Sequence, residues 1–112
     1  MSLRYRAPSD IGKTKFLEII AEDVVALVCQ AIVDAVHNIE DYNWLLAQFI
    51  GLLSHPNEQV RGVTATCIGH LARLNPEADR EQLLSILRPL LSDPSITGQV
   101  EDAIDDVCTF AR

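Results

Sequence analysis

Residues 45–56, LLAQFIGLLSHP, return without a gap as LLSILRPLLSDP at 83–94, keeping the paired leucines, a Leu-Leu-Ser triplet and a closing turn proline. The stretch that follows also returns, at a spacing two residues shorter, which places Val60 on Ile96, Cys67 on Ala103, Ile68 on Ile104 and Leu71 on Val107. Self-similarity at a period of roughly 20 to 50 residues is the mark of stacked repeats. Each unit reads as two helices around a proline turn, and such a hairpin buries its apolar face only by packing on a neighbour. The repeat therefore predicts an all-α protein, an α-α superhelix in the form of a short solenoid.

Hydrophobic periodicity sets the expected elements. Between Thr14 and Asn38 there is no Pro or Gly, and Val24, Leu27, Val28, Ala31, Ile32, Ala35 and Val36 recur at helical spacing, so one helix over 14–38 is expected. Val25, Ala26, Cys29 and Val33 lie off that stripe, leaving a thin polar edge. A helix so apolar around its circumference is either central to the fold or part of a subunit interface, which raises a homodimer through 14–38. Further helices are expected at about 42–54, from Asn57 or Glu58 to Leu74, from Asp79 to about 91, and at about 96–110, making about five in all. Asp79 followed by Gln82 has the form of a capping box. Pro89 is expected to kink the helix that carries it, because its ring removes a backbone hydrogen bond.

At 112 residues the chain is the size of one domain, and 48% apolar residues give it a core to bury. Residues 1–13 contain Pro8 and Gly12 with no apolar period and are expected to form an arm without regular structure. That leaves 14–112 as a single repeat domain with hairpins at about 42–74 and 79–110. The arm region is basic, with Arg4, Arg6, Lys13 and Lys15 all preceding Phe16. The remainder is acidic: from Phe16 to Val60 there is no Lys or Arg against Glu18, Glu22, Asp23, Asp34, Glu40, Asp41 and Glu58, and the whole chain carries −7. A body of that charge repels phosphate and attracts basic surfaces, which argues against nucleic acid as partner.

No apolar run is long enough for a membrane span, and Glu18, Glu22 and Asp23 interrupt the one that could have served as a signal peptide. Cys29, Cys67 and Cys108 are odd in number and sit in apolar helical patterns, as free thiols in a reducing compartment do. A cytoplasmic protein is expected.

The best-formed repeat helix reads VRGVTATCIGHL from Val60 to Leu71, with Pro56 in the turn before it. It resembles HEAT-like repeats, including the PBS-lyase type, whose second helix opens on Val-Arg, continues through small residues and reaches a Leu-Gly pair. The second copy, ITGQVEDAIDDV from Ile96 to Val107, lacks the Arg and the Gly, as a terminal capping repeat does. The resemblance spans about residues 41–110. It implies a protein-interaction module, a neutraliser or adaptor of immunity type, or alternatively an accessory to PBS-lyase-type chromophore lyases; it does not itself assign an activity.

Candidate sites are few. Cys67 and His70 are the one pair at metal-ligand spacing, with no second pair to complete a site, and Cys67 falls where the repeat wants a small core residue. His37, His55 and His70 stand on separate elements, and no nucleophile elbow or phosphate loop is present, so neither catalytic residues nor a cofactor is expected. Glu101, Asp102, Asp105 and Asp106 crowd the last helix without an interleaved cation, either as a solvated cap or as a contact patch for a basic protein. Gly62 and Gly69 each weaken a helix by about 1 kcal/mol relative to Ala, which close approach of another helix or a shallow groove would explain. Arg61, His70 and Arg73 are the polar groups nearest that stripe, and Arg61 could instead bond a carboxylate of the next repeat.

Overall fold

The computed structural model describes residues 8–112, with side chains from residue 12 onward; Arg4 and Arg6 of the expected arm lie outside the described residues. The chain forms α1 (Pro8–Glu22), α2 (Val25–Asn38), α3 (Tyr42–Leu52), α4 (Glu58–Leu74), α5 (Arg80–Leu87), a 3₁₀ turn (Arg88–Ser92) and α6 (Thr97–Phe110). These are three helical hairpins in series, so the short all-α superhelix expected from the repeat is what forms.

Two expectations are corrected. Among the described residues α1 runs from Pro8, so helix is already present six residues before the expected Thr14. The single helix expected over 14–38 is two, so the described residues form six α-helices. The break falls at Asp23, whose φ of 56° is left-handed. Aspartate tolerates that region better than most residues with a Cβ, so the chain turns there without Gly or Pro. α2 packs against both α1 and α4, burying Val28, Ala31, Ile32, Ala35 and Val36, while Val24, Ala26, Leu27 and Val33 of its apolar circumference stay exposed.

The second helices of the hairpins, α2, α4 and α6, pack side by side into a continuous layer, and α1, α3 and α5 lie on one side of it, each against its own partner. Equivalent repeat positions do equivalent work. Val60 and Ile96, Cys67 and Ala103, and Leu71 and Val107 are all buried. Asn57 caps α4 by accepting from the amides of Gln59 and Val60, and Asp79 caps α5 by accepting from Gln82, each satisfying amides that have no partner within the helix. Pro89 converts the end of α5 into the 3₁₀ turn instead of merely bending it. At the far edge the amide of Arg80 bonds the carbonyl of Arg112, and that of Arg112 bonds the carbonyl of Ala78, which ties the chain end back to the start of α5.

The contact between α4 and α6 is the most extensive among the described elements. A Cβ placed on Gly69 would stand 2.9 Å from the Cα of Ala103, whereas one on Gly62 would meet the flexible amide end of Gln99 at 3.1 Å and make an ordinary contact with Cγ2 of Ile96 at 3.5 Å. Of the two explanations for these glycines, close helix approach therefore holds firmly at Gly69 and loosely at Gly62.

Candidate functional site

One edge of the helix layer is a ladder of turns. Asp23, between α1 and α2, places Oδ1 2.7 Å from Nε2 of His55, in the turn between α3 and α4. Nδ1 of His55 accepts from the amide of Asn57, which leaves Nε2 as the donor to Asp23 when the ring is neutral. Arg61 extends the ladder to the third turn. Its Nε donates to Oδ2 of Asp93 at 3.2 Å, Nη1 to the carbonyls of His55 and Pro56 at 2.9 and 3.0 Å, and Nη2 to Oγ of Ser95 at 3.2 Å. The planar guanidinium supplies donors in several directions at once, which an ammonium cannot do in this geometry. Hydrogen bonds from Ser95 to the Asp93 carboxylate, with the Arg61 charge behind them, hold that carboxyl below its ordinary range. At the other end of the fold, Lys13 and the amide of Trp44 do the same for Asp41, and the Lys13 ammonium also lies 5.3 Å from the Trp44 ring centre.

The free face of the α2–α4–α6 layer, turned away from α1, α3 and α5, carries the chemistry. A groove of about 600 Å³ runs there between α2 and α4, lined by Ala26, Cys29 and Val33 on one side, by Val63, Thr66 and His70 along α4, and by Gln99 from α6. Gln99, Asp102 and Asp106 recur at i, i+3 and i+7 and so share one stripe of α6. That stripe borders α4, since Gln99 abuts Gly62 and the Asp106 carboxylate abuts Gly69. Glu101 and Asp105 are exposed farther round the helix.

His70 sits at the end of the groove with Nδ1 out of contact with solvent and without a hydrogen-bond partner. Desolvation, then the nearby Arg73, lower its pKa below the ordinary 6.5; Asp106 opposes and His37 assists the shift. The folded chain thus takes up this proton less readily than the unfolded chain. Stability is accordingly expected to fall as pH drops from about 6.5 through the lowered value, and to level off below it. His70→Gln should remove that loss, leaving only the later one from Asp41 and Asp93, which begins at more acidic pH. Denaturation midpoints measured across the range check this, and an unchanged profile in His70→Gln would sink it.

Of the residues singled out by sequence, His70 and Asp106 come together on this face, with Arg73 close enough to act on His70, and Asp102 shares the α6 stripe of Asp106 by its spacing of four. Arg61 does not join them, because its donors are committed to the turns. Asp23 and Ser95, which complete the ladder, and Ala26, Val33 and Gln99, which complete the groove, do not stand out as site residues in the sequence. Cys67 is buried, and burial pushes its thiol up to about 12, far from thiolate chemistry. All three cysteines are free thiols. Among the described residues no three His, Cys, Asp or Glu side chains converge as metal ligands, and no helix is long and apolar enough to cross a membrane.

Residues 45–74, the hairpin of α3 and α4, match the family model of the HEAT repeat. The PBS-lyase subtype receives no separate support. The fold is also that of a chain in a solved structure described as the crystal structure of a CDI complex from Cupriavidus taiwanensis LMG 19424. The TM-score is 0.84 and the identity 22%, over 99% of this chain and 100% of that one. No curated protein matches the sequence.

Proposed function

We propose that this chain is a non-catalytic binding protein that holds a basic protein partner through its α6 edge, as a neutraliser or adaptor of immunity type. The carboxylates of α6 carry the reading. The ion pairs among the described residues use Asp23, Asp41 and Asp93, and none involves Glu101, Asp102, Asp105 or Asp106. Glu101 with Asp105, and Asp102 with Asp106, are like charges four apart, each pair destabilising an exposed helix by about 0.2–0.5 kcal/mol. A cationic partner reverses that penalty. The HEAT repeat supports a scaffold over an enzyme, and the fold's near-complete coincidence with a chain from a CDI complex supports a protein as the ligand.

Capture from a lysate of the source organism, with the wild-type chain and with Asp102, Asp105 and Asp106 all replaced by Asn, tests it. A Lys- and Arg-rich protein should be retained at low salt, released at high salt because exposed charge pairs are screened, and lost to the triple variant. For the immunity version, co-expression of this chain should restore growth to cells made to produce the captured protein. A partner indifferent to both salt and the three substitutions would remove the reading.

A further inference from the structure

We infer that the partner engages this face through an amphipathic basic helix laid over α4, with its apolar side chains against Ala26, Val33 and Val63 and its lysines or arginines along Asp102 and Asp106. The inference rests on the proposed function and adds to it the kind of segment bound.

The two sides of the face differ in chemistry. On the α2 side the groove wall is Ala26, Cys29 and Val33, without a charge, and Val33 remains 40% exposed. Burial raises the Cys29 thiol, which stays protonated and adds to the apolar wall. On the α6 side the row Gln99, Asp102 and Asp106 is polar and then anionic, and the ion pairs of the described residues leave it unneutralised. Between them α4 offers the uncharged side chains of Gln59, Val63 and Thr66, with His70 at the end holding a buried ring nitrogen that lacks a partner.

Distance selects the occupant. The groove is lined by α2 on one side and reaches Gln99 of α6 on the other. A helix about 10–12 Å across with its side chains fills such a groove, with one flank on the α2 wall and the long side chains of the other directed along α6, whereas a single strand, about 4.7–4.9 Å wide in the plane of a sheet, leaves most of it open. Apolar residues on one side of that helix meet α2 while cations on its other flank meet α6. Removal of the apolar groups from water supplies affinity, and charge complementarity fixes the orientation.

The test uses a synthetic helical peptide about four turns long, with leucines on one face and lysines along one flank, and a scrambled peptide of the same composition. Dissociation constants are measured by fluorescence anisotropy at several salt concentrations. The amphipathic peptide should bind at least about tenfold more tightly than the scramble, a difference of about 1.4 kcal/mol. Val33→Asn should weaken it several-fold with little change in salt dependence, while Asp102→Asn with Asp106→Asn should flatten the salt dependence. Ala26→Gln, at an exposed position, repeats the groove measurement if Val33→Asn lowers the melting temperature. Equal binding of the two peptides, with the groove substitutions silent but the Asn pair weakening both, would overturn the helix inference and leave the acidic-edge reading standing. Failure of both peptides to bind, or binding indifferent to the Asn pair, would overturn the two together.

Discussion

Gly69→Val is expected to destabilise the fold by about 3 kcal/mol, the upper range for forcing extra methyl groups into a packed site, and to lower the melting temperature by roughly 10–20 °C. The added Cβ would stand 2.9 Å from the Cα of Ala103 and 3.2 Å from its Cβ, so backbone must move and α4 must part from α6. Gly69→Ala meets the same obstacle, set against a gain of about 1 kcal/mol in helix propensity, and should still be a net loss. Gly62→Ala makes the control. There the nearest atom is the Nε2 end of Gln99, which can swing aside, so the propensity gain should prevail and the variant should melt no lower than wild type. Urea denaturation of the three variants gives the comparison. Equal effects of alanine at 62 and 69 would mean that the close approach at Gly69 does not constrain the fold.

Arg61→Ala should cost about 2 kcal/mol, on the scale of losing hydrogen bonds to a charged donor. Its guanidinium joins the His55–Pro56 turn to Asp93 and Ser95, so the loss should be felt at both turns. Arg61→Lys keeps the charge without the fork and should recover less than half of the difference. Amide hydrogen exchange separates this from a general loss of stability: protection should fall most at Arg61 and Ile96, whose amides bond back to carbonyls within these turns. Uniform loss across α2, α4 and α6 would argue against the clasp.

Arg61 and Gly69 both belong to the motif VRGVTATCIGHL, and they show how far the chain could be read. Both were picked out by type and position, as a glycine in a helix interior and an arginine opening a repeat helix. In each case two explanations remained, and contacts decided between them: an Ala103 backbone against Gly69, and an Asp93 carboxylate against Arg61. Asp23 was harder. The repeat spacing itself held the signal, because first helices start at Pro8, Tyr42 and Arg80 and second helices at Val25, Glu58 and Thr97, at intervals of 33 to 39 residues. Counted back by the offsets of 36 and 38 that the sequence shows, the repeat calls for a turn at about residue 20, a few residues short of Asp23. Without Gly or Pro there, local propensity gave no reason to break the helix.

The groove was legible only in fragments. Val33 and Ala26 read as excess apolar surface on a helix, and Asp102 and Asp106 as part of an acidic cluster with no known neighbour. Sequence alone determined that the chain is a series of stacked helical hairpins, where their proline turns lie and which positions fill the core, since periodicity and repeat spacing are local properties of the chain. Tertiary structure decided the rest: that α2, α4 and α6 share one layer, that Arg61 belongs to its turns, and that an apolar wall faces an acidic one across α4. Those relations join residues some 30 to 80 positions apart, and such pairings follow from how the helices pack, which the periodicity of any single helix does not specify.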